Sequence, residues 1–467
     1  MRRGLICFIL FCSVGAAASE APLLRLPVGE MVEGLACASD PSQTYTLYLP
    51  PGLTNDRRWP VLLVFDPRGR SVLAAELFRE AAADYGWIIV SSNDTRSDGP
   101  MDPNIKAVKA LWPEVHTRLP ADSKRIYATG FSGGVAVAFL LAKWTGEVAG
   151  VIGTGGRFFP DQLEGTEEPV FSVAGNTDFN FDGMHRVDEF LAAQGNPHRL
   201  VIFDGPHSWM PAAVAREGVE WLEIIAMQRG LRPRDAKLVD ALFAADLAVA
   251  EQLAADGRDV EAARRYREIQ ETYDGLHETT VVRTRAEGLE SSQGYRKQKK
   301  ELNRAASLEI DCGERRSRQM SVLRFSEISP SVRQLALDLE IAGLRRRAQA
   351  SGPMGTAAQR CLNGLYSGFS FYLPRDVLEE GRYAQASSSY ELALMIRDDN
   401  PVVWYNLACA RARLGHERDA MEALEQALDR GFNRFDLLAT DPDLDTLRDR
   451  EDFKALLASS SNAESRE

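Results

Sequence analysis

The sequence predicts a mostly parallel, doubly wound α/β sheet followed by an all-α region. Three observations carry that reading. Strand-like apolar runs alternate with helical stretches between Met31 and Gln228, a rhythm that folds into parallel strands with helices on both faces. From Asp235 onward the strand signals vanish, and Ala, Leu, Glu and Arg dominate. Near the C-terminus a set of small and large residues recurs with a fixed period. The chain has 467 residues, 45% hydrophobic and 26% charged, which is enough for two or three domains with proper cores. Its net charge of −12 argues against broad binding to nucleic acid or to anionic membranes.

The elements follow in order. Met1 to Arg3 is a basic start, Gly4 to Val14 an apolar stretch, and Gly15 to Ala18 a run of small residues. Together they read as a signal peptide over 1–18, cleaved near Ala18, so the protein is expected to be exported, periplasmic or secreted. No integral membrane span is expected after its removal. Cys7 and Cys12 leave with it. Cys37, Cys312, Cys361 and Cys409 remain, and the sequence leaves disulfides and buried free thiols equally open. Expected strands are Met31–Cys37, Thr44–Leu49, Pro60–Phe65, Trp87–Val90, Arg125–Ala128, Gly150–Ile152, Val170–Val173 and Arg199–Phe203. Their continuous apolar runs suit strands buried on both faces. Expected helices are Leu73–Tyr85, Asn104–Leu119, Gly134–Trp144, Gly183–Gln194 and Met210–Gln228.

Right-handed crossovers place the C-terminal ends of parallel strands on one edge, where ligands bind. Three chemistry-bearing residues follow strands there. Gly130-Phe131-Ser132-Gly133-Gly134 is a G-x-S-x-G turn between a strand and a helix, the setting of a nucleophile elbow. Asp178 follows the VFSV strand, and His207 follows the RLVIF strand. The chain order Ser, Asp, His suits a hydrolase on this type of sheet. A neutral serine hydroxyl needs a histidine to take its proton, and the histidine needs a carboxylate to fix its tautomer. Asp182 competes with Asp178 for the acid, but Asp178 falls nearer the strand end. His185 and His198 are less well placed and read as surface residues, and His116 as a helix-face residue. Backbone N–H groups must meet the developing oxyanion. Gly133 is one expected donor. Arg68 is the other, since Pro67 beside it has no N–H.

These stretches resemble known enzymes. Residues 25–228 resemble an α/β-hydrolase of the dienelactone hydrolase and polyhydroxybutyrate-depolymerase-like esterase group. The matching stretches are LYLPPG (ending at Gly52), RWPVLLVFDPRG, RIYATGFSGG, GNTD and GPHSW. The resemblance implies a serine esterase with Ser132, Asp178 and His207 as its triad. Many members of the group carry His-Gly in the oxyanion loop, whereas this chain has Phe65-Asp66-Pro67-Arg68-Gly69. Phe131, Phe158 and Trp209 flank strand ends and would line an acyl pocket, and Arg157 on the same edge would hold a substrate carboxylate. There is no dinucleotide fingerprint, P-loop, zinc spacing or histidine cluster, so no cofactor or metal is expected.

Residues 229–235 read as a linker, with Pro233 starting a helix. Residues 236–458 read as a helical repeat domain. Gly381, Ala386, Tyr390 and Ala393 recur as Gly415, Ala420, Leu424 and Ala427, each 34 residues on. The best repeats span about 367–400 and 401–434 and resemble tetratricopeptide repeats, which implies a surface for a protein or peptide partner. Gly257, Ala262 and Tyr266 mark an earlier unit. Pro374 is expected to break a helix. Residues 441–453 read as a capping helix pair and 459–467 as a disordered tail. The expected function is therefore an exported serine hydrolase of carboxylic esters. The alternatives are a serine peptidase of the same fold and a non-catalytic binding protein whose repeats carry the function.

Overall fold

The computed structural model describes residues 26–156, 163, 165–326 and 331–464, with side chains as far as Ala458. The expected signal segment 1–18 lies outside the described residues, as do Arg157 and Phe158. The chain divides into two compact units, one up to Ala149 and one from Gly150.

The first unit carries β1 (Met31–Ala36), β2 (Thr44–Tyr48), β3 (Trp59–Phe65), α1 (Ser71–Glu76), α2 (Arg79–Tyr85), β4 (Ile88–Ser92), α3 (Asp102–Arg118), β5 (Ala121–Phe131) and α4 (Gly133–Thr145). Its strand order is β1-β2-β4-β3-β5. β1 and β2 run antiparallel, while β3 pairs in parallel with both β4 and β5. Every residue of β3 and β4 is buried, including Ser91 and Ser92 at the end of β4. Trp87 and Tyr127 stack in the core with centroids 4.4 Å apart. The buried Glu114 carboxylate accepts from Ala38 N (2.6 Å), Tyr45 Oη (3.0 Å) and Arg118 (2.7 Å), so its charge is fully answered. The single helix expected over Leu73–Tyr85 is two helices, broken where Phe78 becomes fully buried.

β6 (Val148–Thr154) starts at the end of the first unit and lies mostly in the second, which continues with β7 (Val170–Gly175), α5 (Phe181–Gln194), β8 (His198–Phe203) and α6 (Ala212–Gln228). β7 pairs in parallel with β6 and with β8. The strands of the two units are mostly parallel and interleaved with helices, as the sequence predicts. A large helical region follows. It comprises α7 (Ala236–Ala255), α8 (Asp259–Thr272), α9 (Thr280–Glu290), α10 (Gln293–Phe325), α11 (Val332–Asp338), α12 (Ile341–Ala348), α13 (Pro353–Ser367), α14 (Leu373–Glu379), α15 (Tyr383–Ile396), α16 (Pro401–Arg413), α17 (Glu417–Asp429), α18 (Phe435–Thr440) and α19 (Glu451–Glu464).

Local chemistry explains several boundaries. Pro233 does not start a helix as expected. α7 begins at Ala236, where the Asp235 side chain caps Leu238 N at 3.2 Å. Pro374 does not break the helical path. A π turn over Gly368–Tyr372 precedes it, and Pro374 sits in the first turn of α14, where its missing N–H costs little. Gly381 and Gly415 occupy equivalent turns with φ of 70° and 74°. Ala386 and Ala420, like Ala393 and Ala427, are all fully buried where paired helices meet. The final helix runs to Glu464, whereas the sequence suggested a disordered tail from residue 459. All four described cysteines are buried free thiols.

A buried ionic network ties the sheet strand β8 to the helical region. Arg199 of β8 is 1% exposed and grips Asp246 of α7 through both terminal nitrogens, at 3.2 and 2.9 Å. Arg265 of α8 reaches the same carboxylate at 2.6 Å, and Tyr273 Oη donates to it at 3.0 Å. Burial would raise the Asp246 pKa, but Arg199 and Arg265 outweigh it and hold the carboxyl below its ordinary value.

Candidate active site

Ser132 lies between β5 and α4 with φ 51° and ψ −120°, a conformation that few residues other than glycine adopt. The glycines around it have a steric reason. A Cβ on Gly130 would stand 2.2 Å from Gly134 O, and one on Gly134 would stand 2.0 Å from Phe65 O. The tight turn therefore needs both positions bare, and it lifts the serine out of the strand. Gly133 is the first residue of α4, so its N–H precedes the intrahelical bonds and is placed to meet an anion. Ser97 packs against Gly133, with its Cβ 2.4 Å from where a Gly133 Cβ would stand.

Arg68 does not fit its expected role. Its N–H donates to Asp66 Oδ1 at 2.8 Å, and the same carboxylate takes the Arg70 N–H (3.2 Å) and the Arg70 guanidinium (2.8 Å). An amide turned toward a buried carboxylate is not offered to an oxyanion. The cause is Asp66 itself, 0% exposed at the strand end, which gathers the donors of its own loop.

Asp178 and His207 lie in contact. His207 Nδ1 lies 2.9 Å from Asp178 Oδ1 and 3.0 Å from Oδ2. Asp178 is 1% exposed, and its Oδ1 also accepts from Asn180 N at 2.7 Å. A carboxylate at Nδ1 makes that nitrogen the N–H donor and leaves Nε2 as the acceptor. The two loops are knit by their backbones. Thr177 donates to Gly205 O through N (3.0 Å) and Oγ1 (2.9 Å), and Gly205 N donates to Asn176 Oδ1 at 3.1 Å. Phe179 packs on the His207 ring at 4.3 Å.

The rival residues are committed elsewhere. Asp182 pairs with Arg186 at 2.9 Å within α5. His185 and His198 are half-buried, not surface groups as expected. Burial, then Arg264 and Arg360, push the His185 pKa down to about 3, so it stays neutral near pH 7. His198 Nδ1 lies 2.8 Å from Asn196 O. His116 stays on α3, with its ring 4.5 Å from that of Trp112. Phe131 and Trp209 are buried, at 7% and 9% exposure. Among the described residues no group of His, Cys, Asp and Glu could hold a metal ion.

Three contributors escaped the sequence reading. Gly155 (φ 57°) passes so close to the pair that a Cβ there would stand 2.8 Å from Asp178 Oδ2 and 3.1 Å from His207 Nδ1. Arg360 and Asn363 of α13 donate to the carbonyls of Asn176 (2.8 Å) and Thr177 (2.7 Å), directly before the acid. Gly155 had only its place after a strand to mark it, and the other two had no local signal.

No family model matches the chain. Over 82 residues it is 35% identical to a chloroplastic protein of Arabidopsis thaliana, covering 17% of this chain and 24% of that one. The chain thus spans about a quarter of that relative's length. Similar solved structures include an S-formylglutathione hydrolase from Staphylococcus aureus (12% identity, 41% of this chain and 99% of that one, TM-score 0.34). Another is Est1E from Butyrivibrio proteoclasticus (13% identity, 43% and 100%, TM-score 0.35). A dipeptidyl-aminopeptidase-IV-like chain from Bacteroides ovatus is matched over 35% of its length (13% identity, 42% of this chain, TM-score 0.34).

Proposed function

We propose that this protein is a serine hydrolase that cleaves carboxylic esters through an acyl-enzyme intermediate. The observation that carries the reading is the pairing of two features that the rest of the fold does not need. One is a serine held at φ 51° between a strand and a helix. The other is a histidine whose Nδ1 is fixed by a buried carboxylate.

Ser132 Oγ attacks the ester carbonyl carbon while His207 Nε2 takes its proton. Asp178 holds the imidazolium that forms. The Gly133 N–H stabilises the tetrahedral oxyanion, a contribution of about 3 kcal/mol for one well-placed donor. The second donor comes from elsewhere than Arg68 N. His207 then returns the proton to the leaving alcohol, and water repeats the sequence to release the acid.

In this reading residues 1–18 direct export to the periplasm or the outside. The repeats over about residues 367–400 and 401–434 act as tetratricopeptide-like units that receive a protein or peptide. The ester preference follows from the resemblance in sequence. A matched p-nitrophenyl ester and p-nitroanilide test it. Turnover of the ester, lost in Ser132→Ala, is the expected outcome. Faster turnover of the anilide would make the protein a peptidase.

A further inference from the structure

The loop that carries the acid is held from two sides. One side is the histidine loop, described above. The other is α13, which belongs to the helical region and lies far along the chain. Arg360 and Asn363 stand one helical turn apart on α13, so they share a face. Arg360 Nη1 donates to Asn176 O at 2.8 Å, and Asn363 Nδ2 donates to Thr177 O at 2.7 Å. These are the two carbonyls immediately before Asp178.

The arginine is fixed as well as near. It is 7% exposed, and its Nε and Nη2 donate to Glu309 of α10 at 2.9 and 2.5 Å. Its guanidinium lies 3.9 Å above the Phe181 ring. Burial raises the Glu309 pKa, and Arg360 works against that rise, so each charge depends on the other. The rigid planar fork is thus set by Glu309 on one edge, and its other edge is left to hold the acid loop. A third contact reaches the base. Gly364, next along α13, lies beside Phe179, whose Cβ is 3.7 Å from where a Gly364 Cβ would stand. Phe179 in turn covers the His207 ring.

We infer that Arg360 and Asn363 are positioning residues for the Asp178–His207 pair, which makes α13 of the helical region a working part of the hydrolase site. This inference rests on the hydrolase reading above. Two hydrogen bonds fix the height and tilt of the peptide units that precede the acid. Asp178 must meet Nδ1 within a few tenths of an ångström to hold the imidazole in one tautomer and one tilt. Releasing either bond lets the acid loop relax. The ester is bound as before, but the proton is transferred less well.

The test uses the full chain and a p-nitrophenyl ester. Active sites are titrated to completion with a fluorophosphonate, so that turnover is expressed per competent site. Asn363→Ala removes a neutral, half-buried donor and leaves the Arg360–Glu309 pair intact. It is expected to lower kcat per site by about three- to tenfold, the worth of one hydrogen bond, with KM within about twofold. Arg360→Ala is expected to cost more, and Arg360→Lys to recover part of the loss. A purely structural role would reduce the number of titratable sites and leave kcat per site unchanged. That result for Asn363→Ala would overturn the inference, even if Arg360→Ala fails to fold. No ester turnover by the unaltered chain would refute the hydrolase reading itself, and this inference with it.

Discussion

Ser132 shows how much of a site one residue can announce. Its backbone conformation costs on the order of 1–3 kcal/mol for a residue with a side chain. The sequence displays the means of tolerating it, since Gly130 and Gly134 are bare where a Cβ would meet backbone at 2.2 and 2.0 Å. Asp178 and His207 were legible for a related reason: each is a reactive residue type just past an apolar run. Gly155 was not legible, because a glycine after a strand is ordinary until its neighbours are known. Its neighbours make a prediction. Gly155→Ala adds a methyl within 2.8 Å of Asp178 Oδ2 and strains a positive φ. It should lower kcat by tenfold or more while leaving the far-ultraviolet circular dichroism unchanged. Activity equal to that of the unaltered chain would mean that the pair can be displaced at no cost. Arg68 marks the opposite error. The reading by elimination beside Pro67 ignored Asp66, whose buried carboxylate claims the amide first.

At the scale of elements, the parallel strands were the easiest to read. Burial on both faces favours apolar runs; β3 is apolar throughout, and β4 and β7 are interrupted only by serine. Helix ends were harder, because they depend on single side chains such as Asp235. Pro374 read as a break because its ring excludes an ordinary α-turn before it, and the π turn that absorbs it has no sequence signal. The ionic cluster on Asp246 also joins elements that the sequence keeps apart. Asp246→Ala would leave Arg199 and Arg265 buried without their central partner, since Glu217 answers them only from the side. We expect a loss of about 3 kcal/mol or more, read from urea denaturation. The sign of the pH dependence follows. The folded pKa of Asp246 is depressed below 3.8, so its contribution is present above that value and is lost as pH falls through the folded pKa. A variant that unfolds with the unaltered chain, at neutral and acid pH alike, would show the cluster to be neutral.

At the scale of the whole molecule, composition and rhythm separated the strand-bearing part from the helical part near residue 229. They could not show that the helical part reaches back to the acid loop. The bonds from Arg360 and Asn363 span 184 and 186 positions, and no periodicity encodes a contact of that range. The same limit applies to the repeats. Their period is visible in the sequence, but a binding surface has no linear pattern. The central claim is that Ser132 is an activated nucleophile. Fluorophosphonate labelling followed by peptide mapping tests it most directly, because the serine displaces fluoride from phosphorus only when a base takes its proton. One labelled peptide containing Ser132 is expected, with no label in Ser132→Ala and slow label in His207→Ala. A folded protein that stays unlabelled, or carries the label on another serine, would contradict it.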